Sequence, residues 1–300
     1  MTSAVDDALA ALRRGGLVAI PTETVYGLAA DAEDEHAVRR IFLAKGRPAD
    51  HPLIVHIASA DLLGEWTSSV PDSAATLAAT CWPGPLTLLL PRSARVSDVV
   101  TGGRDTVGIR VPAHPMTTEL LERFGGGLAA PSANRFGHVS PTTAEHVRRD
   151  LGTDVDLVLD GGACPVGVES TIVDCTVDPP QVLRPGAITS EQIEALLGAS
   201  VAPATGPDRA AGMLAAHYAP AARVLLAQSP DEADRLAARH LGEVVGAGVD
   251  AVTYARHLYG WLRDADARQV ETVVAVLPEA SGLGHAIRDR LFKASGGRVG

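Results

Sequence analysis

The sequence predicts an α/β protein made of two units, and two observations support this prediction. Short apolar runs of strand length alternate with amphipathic helix patterns along the chain, which is typical of sheets covered by helices. After Gly198 the composition changes, because residues 199–213 are rich in alanine, proline and glycine and show no periodicity. We therefore predict a first domain over residues 1–198, an interdomain linker over residues 199–220 and a small α/β domain over residues 221–300.

The composition restricts the class of protein before any motif is considered. A chain of 300 residues suffices for one large domain or for two domains that each bury a core. No apolar run approaches the roughly 18 to 20 residues of a membrane span, and no basic segment followed by an apolar stretch opens the chain, so we expect no membrane association and a cytoplasmic location. Cys81, Cys164 and Cys175 show no C-x-x-C spacing, which favours reduced thiols over zinc ligands or disulfides.

Strands of the first domain are predicted wherever apolar residues alternate or run without interruption between turn-forming clusters. In the second such run Ile54 and His56 share one face, and in the fourth Arg110 lies on the face opposite Ile109. The predicted strands are 17–20, 53–57, 86–90, 106–111, 128–130, 157–160, one that starts near 169–171 and one that ends at Arg184.

Helices of the first domain are predicted from apolar residues spaced three and four apart and from capping residues. The predicted helices are 5–14, 35–45, 62–66, 73–81, one that follows residues 140–143, and 190–197. The predicted caps are Asp34 with Gly46 for 35–45, Thr142 with Glu145 for the helix that follows them, and Thr189 with Gln192 for 190–197.

The second domain repeats a strand-and-helix alternation, which implies a small parallel sheet. Its predicted strands are 223–227, a short one near Val244, and 272–277. Its predicted helices are 231–241, capped by Ser229, then 252–263 and 284–294.

Polar side chains collect at the ends of the predicted elements of the first domain. Lys45 and Arg47 stand at a helix end beside a turn, where long basic side chains are free to reach outward. Lys45 is one of only two lysines among 26 basic residues, and a compact ammonium suits phosphate oxygens. Four cations and several hydroxyls without a carboxylate pair predict an anion site, in which Mg²⁺ could complete the neutralisation of a polyphosphate. The set is Thr24, Lys45, Arg47, His51, His56, Arg110, Ser132, Asn134, Ser140, Ser170 and Arg184.

Several of these residues also have ordinary structural explanations. Lys45 and Arg47 are favourable at the negative end of a helix dipole, an effect worth about 0.3–1 kcal/mol. His56 could be a satisfied core residue, Arg110 could form a surface ion pair, and Ser140 could be a turn residue. The sequence contains neither G-x-x-x-x-G-K-[ST] nor G-x-G-x-x-G. The residues alone therefore indicate an anionic ligand, with a nucleotide favoured, held without the common phosphate-binding motifs.

Seven motifs in consistent order resemble the threonylcarbamoyl-adenylate synthases, the YrdC-like family. The motifs are P-T-E-T-V-Y-G-L, K-G-R-P-x-x-x-P-L-I-V-H, P-G-P-L-T, G-I-R-V-P, A-P-S-A-N, E-S-T-I-V-D and L-R-P-G. This resemblance extends over residues 5–197, and H-Y-A-P at 217–220 with the unit that follows is similar to the long, two-domain form. It implies a twisted, mixed open sheet with helices in the first domain and a smaller Rossmann-like parallel sheet in the second.

The resemblance also implies an activity. The chain is expected to be a nucleotidyltransferase that condenses L-threonine, bicarbonate or CO₂, and ATP to threonylcarbamoyl-AMP and pyrophosphate, with Mg²⁺ as cofactor. Partner proteins would then transfer the threonylcarbamoyl group to the adenosine beside the anticodon of tRNAs.

Site residues follow from the same resemblance, residue by residue. Lys45 and Arg47 are expected to be catalytic, no side chain is assigned to the metal, and His51 stands where the family usually has asparagine. The implied ATP contacts are Lys45, Arg47, His51, Thr106, Ser132, Asn134, Ser140, Arg184, His217 and Tyr218. The implied threonine contacts are Thr24, His56, Arg110, the backbone at Ala130, and Ser170.

Two other functions stay open from the sequence. An RNA-binding module would hold double-stranded RNA or tRNA on a basic surface without catalysis, but a net charge of −10 argues against distributed positive charge. We therefore expect weak or no direct binding of nucleic acid. The related carbamoyl-transfer domain of hydrogenase maturation proteins would be accompanied by zinc-finger-like cysteine pairs, which this sequence lacks.

Overall fold

The first unit, residues 3–205, is built on one mixed sheet. A computed structural model of the chain describes residues 3–205, 210 and 218–296. The strands of the first unit are β1 (Val18–Ile20), β2 (Gly27–Asp31), β3 (Ile54–His56), β4 (Leu86–Pro91), β5 (Thr106–Arg110), β6 (Leu128–Ala129), β7 (Leu157–Val158), β8 (Thr171–Asp174), β9 (Gln181–Arg184) and β10 (Ala202–Pro203). Their order across the sheet is β10-β9-β8-β4-β5-β3-β6-β2-β1-β7, so chain neighbours are often not sheet neighbours.

Both strand directions occur in this sheet. The pairs β1/β7, β3/β5, β4/β8 and β9/β10 are parallel, and the remaining neighbours are antiparallel. The register between β3 and β5 pairs His56 with Arg110. Two residues expected to contact one ligand therefore lie side by side at the same end of the sheet.

Alternation along the strands separates two apolar cores, one on each side of the sheet. Leu17 and Ala19 pack in one core, whereas Val18 and Ile20 pack in the other. Helices α2, α3, α4, α7 and α8 contribute to the first core, and α1 and α6 to the second. The helices of this unit are α1 (Ala4–Arg13), α2 (Glu35–Lys45), α3 (Leu63–Trp66), α4 (Asp72–Cys81), α5 (Asp98–Thr101), α6 (Pro115–Phe124), α7 (Ala144–Leu151) and α8 (Ser190–Leu197).

Most predicted helix ends agree with the structure, but one predicted cap is wrong. Helix α2 begins after Asp34, whose carboxylate accepts two backbone N–H groups, and α8 begins with the predicted capping box at Thr189. Helix α7 begins one residue later than the Thr142 box predicted, because the Thr143 hydroxyl accepts from the backbone N–H of His146. The carbonyl of Thr142 instead accepts from Cys164, which keeps that residue in the preceding extended segment.

Strand β2 and helices α5 and α6 of the first unit were not predicted, and neither was the short strand β10. Strand β2 consists largely of glycine and alanine, which carry little strand preference, although it is buried nearly throughout. Helix α5 is a single turn, and α6 begins with Pro115 at its first position. The apolar face of α6 packs on α1 and on residues of β1, β2 and β6.

The second unit, residues 221–296, confirms the predicted small parallel sheet. Its strand order is β11-β13-β12, and both pairs are parallel. Its elements are β11 (Arg223–Ala227), α9 (Pro230–His240), β12 (Glu243–Val245), α10 (Ala251–Ala267), β13 (Thr272–Val276) and α11 (Leu283–Ala294). Strand β10, which falls within the range predicted as linker, pairs with β9 and extends the first sheet.

The two units are packed against each other. Val25, Val139 and Val168 of the first unit belong to the same buried cluster as α10 and α11 of the second. Within the residues described, no helix is both long and apolar enough to cross a membrane.

Candidate active site

A narrow cavity lies where β3, β5 and β9 end and β8 begins. It encloses about 50 Å³, which is room for a few water molecules only. Its lining residues are Thr22, Val25, Gly27, Arg47, Leu53, Ile54, His56, Arg110, Ala130, Pro131, Ser132, Glu169, Ser170, Arg184 and Tyr218.

More than half of the site residues predicted from the sequence line this cavity. Those residues are Arg47, His56, Arg110, Ala130, Ser132, Ser170, Arg184 and Tyr218. Predicted contacts that are not in its wall are Thr24, Lys45, His51, Thr106, Asn134 and Ser140. The predicted contact from His217 lies outside the described residues.

Lys45 does not reach outward as its position at a helix end predicts. The side chain is buried, and Nζ donates to the carbonyls of Ser132 at 2.6 Å and Asn134 at 2.5 Å. Burial, with repulsion from Arg47, holds the pKa of Lys45 well below its usual range. Lys45 therefore ties the end of α2 to the loop that follows β6, and its ammonium donates to backbone in this structure.

Arg47 is the cation of this motif that faces the cavity. Nη2 donates to the Pro52 carbonyl at 3.0 Å, while Nε has no hydrogen-bond partner within the part of the chain that the structure describes. The guanidinium lies 5.8 Å from the ring centre of Phe136, and the His51 ring contacts the same phenyl edge-on at 5.3 Å. Burial, with repulsion from Arg184, lowers the pKa of Arg47 to about 10. Phe136, which connects His51 to the site, was not singled out from the sequence.

The Asn134 side chain forms hydrogen bonds within its own loop and does not line the cavity. Its Nδ2 donates to the carbonyls of Arg135 and His138, both at 2.8 Å. Ser132 lines the cavity wall, two residues earlier in the same loop. Of the predicted S-x-N pair, only the serine is thus in position to contact a ligand directly.

Arg110 is held in a buried network that includes a carboxylate. Nη2 donates to Glu23 Oε1 and to Thr24 Oγ1, each at 2.8 Å, and Nε donates to Gly84 O at 3.3 Å. Glu23 Oε2 accepts from the backbone N–H of Ala113 at 3.0 Å. The side chains of Arg110 and Glu23 are 5% and 9% exposed, so this ion pair is buried and the surface pair considered from the sequence is excluded. Glu23 was missed as a site residue, although it stands inside the P-T-E-T motif.

His56 lies beside Arg110 and is uncharged. Its Nδ1 is 3.3 Å from Ile54 O, and the ring is buried. Burial, with repulsion from Arg110, lowers the pKa of His56 to about 3. A neutral imidazole can offer a hydrogen bond to a ligand hydroxyl at pH 7, but it cannot act as an effective base there.

Ser170 and Arg184 form the opposite wall. Arg184 donates through Nε to Ser170 O and through Nη2 to Ser170 Oγ, both at 3.0 Å, and that hydroxyl is 2.7 Å from Thr87 Oγ1. Gly186 permits this packing, because a Cβ there would lie 2.3 Å from the backbone nitrogen of Thr171.

Glu169 is the one carboxylate among the described residues of the cavity wall. Its Oε1 accepts from Ser140 Oγ at 2.5 Å, and its Oε2 accepts from Tyr259 Oη and Arg290 Nε of the second unit, both at 2.8 Å. Burial by itself raises the pKa of Glu169, but Arg290, Arg184 and the hydrogen bonds outweigh it and lower the pKa to about 2. Ser140 therefore reaches the site through Glu169 and is more than a turn residue.

Comparisons with known proteins agree with this geometry. Residues 10–186 match the Sua5/YciO/YrdC family, described as "Telomere recombination", and residues 188–296 match the family described as "Threonylcarbamoyl-AMP synthase, C-terminal domain". The threonylcarbamoyl-AMP synthase of Pyrococcus abyssi is 44% identical over 96% of this chain and 93% of its own length. The chain belongs to the threonylcarbamoyl-AMP synthase family.

Two further members support the full-length match. The threonylcarbamoyl-AMP synthase of Bacillus subtilis is 42% identical over 98% of this chain and 94% of its own length. A crystal structure of P. abyssi Sua5 complexed with L-threonine has a TM-score of 0.94 at 41% identity and covers 98% of this chain and 95% of that one. Both comparisons extend over both units, so this chain is a two-domain member of the synthase family.

Family membership directs attention to Tyr218, which lies near the end of the predicted linker. Tyr218 is buried, lines the cavity, and has a φ of 62°, in the left-handed region that non-glycine residues seldom adopt. Burial raises the pKa of Tyr218 to about 12, so its hydroxyl stays protonated at pH 7. The backbone bridge between His138 and the next residue, Ala219, attaches this part of the synthase to the loop that carries Ser132 and Asn134.

Thr106 stands apart from the cavity of this synthase. It opens β5, four residues before Arg110, and is half-buried. In the antiparallel register of β4 and β5 it pairs with Pro91. Thr106 therefore lies at the opposite end of β5 from Arg110.

Proposed function

We propose that this chain is an L-threonylcarbamoyladenylate synthase, which condenses L-threonine, bicarbonate or CO₂, and ATP to threonylcarbamoyl-AMP and pyrophosphate. One observation carries the proposal: a single buried cavity presents Arg110, with the hydroxyls of one threonine and two serines and a neutral histidine, near two further guanidiniums, Arg47 and Arg184. The first group suits an amino-acid carboxylate and hydroxyl, and the second suits phosphates.

The reaction needs two bonds to form in sequence. The threonine nitrogen attacks the carbon of CO₂ and loses a proton, which gives a carbamate. A carbamate oxygen then attacks the α-phosphorus, and the bond to the bridging oxygen breaks as pyrophosphate leaves. Negative charge that develops on the phosphoryl oxygens would be stabilised by Arg47 and Arg184, which are already in place before the reaction.

Positioning rather than proton abstraction explains how these residues would act. Of the groups in the described cavity wall that could accept a proton, His56 has a pKa lowered to about 3 by burial, and Glu169 has a pKa of about 2. Neither is an effective base at pH 7. Rate enhancement would come from holding the carbamate against the α-phosphate in a site that excludes water.

Magnesium would enter with the nucleotide and not as a metal held by the protein. Among residues 3–205, 210 and 218–296, no group of three or more His, Cys, Asp or Glu side chains could hold a metal ion. The oxygens of Glu169 are already occupied by Ser140, Tyr259 and Arg290. These residues do not fit a protein-bound metal, so phosphate oxygens and water are the proposed ligands, and no step here depends on the ion.

We infer that the nucleotide end of the cavity widens when substrates bind. Tyr218 forms part of its wall, and displacement of this side chain is the simplest way to enlarge the nucleotide end. The product is labile, so a site that closes over it would protect it until other proteins transfer the threonylcarbamoyl group to the adenosine beside the anticodon of tRNA.

The proposal is tested by pyrophosphate release from ATP with magnesium chloride present. Release is expected only when both L-threonine and bicarbonate are added, and omission of either is the control. Release without threonine would contradict the proposal, as would no release at all. If the protein is instead retained by tRNA at low salt and releases no pyrophosphate, RNA binding is the better assignment.

Arg110→Met tests the assignment of the amino-acid end. Loss of a charge-assisted contact to the threonine carboxylate is expected to raise the threonine KM about tenfold or more, with the ATP KM within about twofold. Because this change leaves Glu23 buried without its cation, the double variant Glu23→Gln/Arg110→Met is measured alongside. A raised ATP KM with an unchanged threonine KM in both variants would show that Arg110 serves the nucleotide.

A further inference from the structure

Glu169 of the first unit is held mainly by the second unit. Two of its three side-chain donors, Tyr259 and Arg290, come from helices α10 and α11, 90 and 121 residues further along the chain. The Arg290 and Glu169 side chains are 1% and 7% exposed. A carboxylate buried to this degree stays ionised only when a nearby positive charge and hydrogen bonds stabilise it.

Arg290 also holds the backbone beside a cavity cation. Its Nη1 donates to Pro185 O at 2.9 Å, and Pro185 directly follows Arg184. One guanidinium thus bonds both the carboxylate that faces Arg184 and the main chain that carries Arg184. The planar fork of arginine suits this double contact, which a lysine could not reproduce.

The same two residues of the second unit support Tyr218. Its ring stacks on the Tyr259 ring at a centroid distance of 5.8 Å, and the Arg290 guanidinium lies 5.3 Å from its centre. Tyr218 in turn lines the cavity together with Arg47 and Arg184. Arg290 and Tyr259 therefore both contact two residues of the cavity wall, Glu169 and Tyr218.

We propose that Arg290 and Tyr259 are positioning residues for the nucleotide half of the cavity: they compensate the charge of ionised Glu169, so that the charge of Arg184 can serve a phosphate. This inference rests on the proposed function, in which Arg184 binds ATP. It assigns the second unit a part in the electrostatics of the site in addition to covering it.

The expected effect of removing Arg290 follows from charge balance. When Arg290 is removed, the positive charge of Arg184 has to compensate the buried carboxylate of Glu169 instead. A guanidinium that pairs with this carboxylate binds phosphate more weakly. Arg290→Met is expected to weaken ATP binding about tenfold or more, while the threonine KM stays within about twofold. Tyr259→Phe removes one hydrogen bond but no charge, and we expect a smaller loss of about threefold.

A double variant separates this electrostatic role from a merely structural one. Glu169→Gln/Arg290→Met carries no carboxylate at position 169, so Arg184 no longer has to compensate one there. ATP affinity is expected to recover to within about threefold of the parent protein. A double variant as weak as Arg290→Met alone would overturn the proposal, because loss of packing is not restored by a second substitution.

The experiment uses the full chain and measures the Kd of ATP with magnesium chloride by calorimetry, beside pyrophosphate release. Arg256→Met is the matched control, because Arg256 Nε donates across the same domain contact to Pro165 O at 2.8 Å but lies outside the cavity wall. Its Kd is expected to equal that of the parent. An unchanged ATP Kd in folded Arg290→Met, or in folded Tyr259→Phe should Arg290→Met not fold, would overturn the proposal.

Calorimetry also separates this proposal from the proposed function. If the parent binds ATP but releases no pyrophosphate with threonine and bicarbonate, the synthase assignment fails while the Kd values still decide the role of Arg290. If the parent releases pyrophosphate and the variants bind ATP normally, only the positioning role fails. A parent that binds no ATP contradicts both.

Discussion

At the scale of single residues, burial decides what a charged side chain can do. Lys45 and Arg47 stand two positions apart, yet the ammonium donates to two loop carbonyls while the guanidinium faces the cavity. A buried carbonyl that loses its donor costs about 1–3 kcal/mol. Lys45 therefore contributes to the site first by holding the loop that carries Ser132.

Lys45→Met tests this role, because it keeps the length of the side chain and removes the donor. The free energy of unfolding in urea is expected to fall by about 2 kcal/mol or more, together with a loss of pyrophosphate release. Arg39→Met on the exposed face of the same helix is the control and should change stability by less than about 0.5 kcal/mol. Normal stability with lost activity would mean that Nζ serves a phosphate instead.

His56 predicts a pH dependence of stability. Burial lowers its pKa from 6.5 to about 3 in the folded chain, so between these values the unfolded chain binds the additional proton. Stability from this residue is complete above pH 6.5 and is lost as the pH falls towards 3, at up to about 1.4 kcal/mol per pH unit.

The measurement compares urea unfolding of the parent and His56→Gln between pH 6.5 and 5, above the range in which most carboxylates titrate. The free energy of unfolding is expected to depend less steeply on pH in the variant. The difference in slope corresponds to the binding of close to one proton. His146, whose pKa burial lowers to about 4, contributes in the same window but is present in both chains. Equal slopes would show that His56 carries its proton in the folded state.

At the scale of elements, close packing fixes where a strand or helix can lie. Strand β6 begins after Gly127, and a Cβ there would lie 2.5 Å from the Trp66 ring and 2.7 Å from Val55 Cγ1. Both neighbours are almost fully buried and have no free space into which they can move. Helix α3 thus sits on the sheet at a distance that requires a residue without a side chain.

Gly127→Ala and Gly64→Ala form a matched pair. The first is expected to destabilise the protein by about 1–3 kcal/mol through overpacking. The second replaces an exposed glycine within α3 whose Cβ would meet nothing within 4 Å, and it should stabilise by about 0.5–1 kcal/mol. The urea unfolding midpoints of the two variants measure these effects. Equal effects of the two substitutions would contradict overpacking at Gly127.

At the scale of the whole molecule, buried ion pairs join the two units at two places. Besides Glu169 with Arg290, the Arg263 guanidinium bonds both oxygens of Asp150 at 2.9 and 2.6 Å and also donates to the carbonyls of Val139 and Ser140. The Arg263 and Asp150 side chains are 7% and 13% exposed. The contact between the units is therefore sensitive to the loss of one charge.

Asp150→Ala is expected to lower the free energy of unfolding by about 3–5 kcal/mol, because it leaves the Arg263 charge buried without its partner. Asp154→Ala is the control, since its pair with Arg135 is largely exposed and should contribute less than about 1 kcal/mol. Urea unfolding of both variants measures the difference. Similar values for the two would indicate that water reaches Arg263.

Properties that depend on near neighbours in the chain followed from the sequence. Alternation placed Ile54 and His56 on one strand face, and both line the cavity, while Asp34 and Thr189 marked helix starts, since each effect acts within about four residues. Motif order indicated the family, which the full-length relatives confirm. Strand β2 was missed because its small residues carry no pattern, and the start of α7 was decided by a contact from Cys164.

Only the tertiary structure decided which partner each buried charge has. The sequence indicated that Lys45, Arg110 and Ser140 belong to one site, but not that the first bonds carbonyls, the second Glu23 and the third Glu169. Partners of buried charges come from positions up to 124 residues away. A charge that is removed from water needs an opposite charge or a hydrogen-bond partner close to it in space. That partner can come from any distance along the chain.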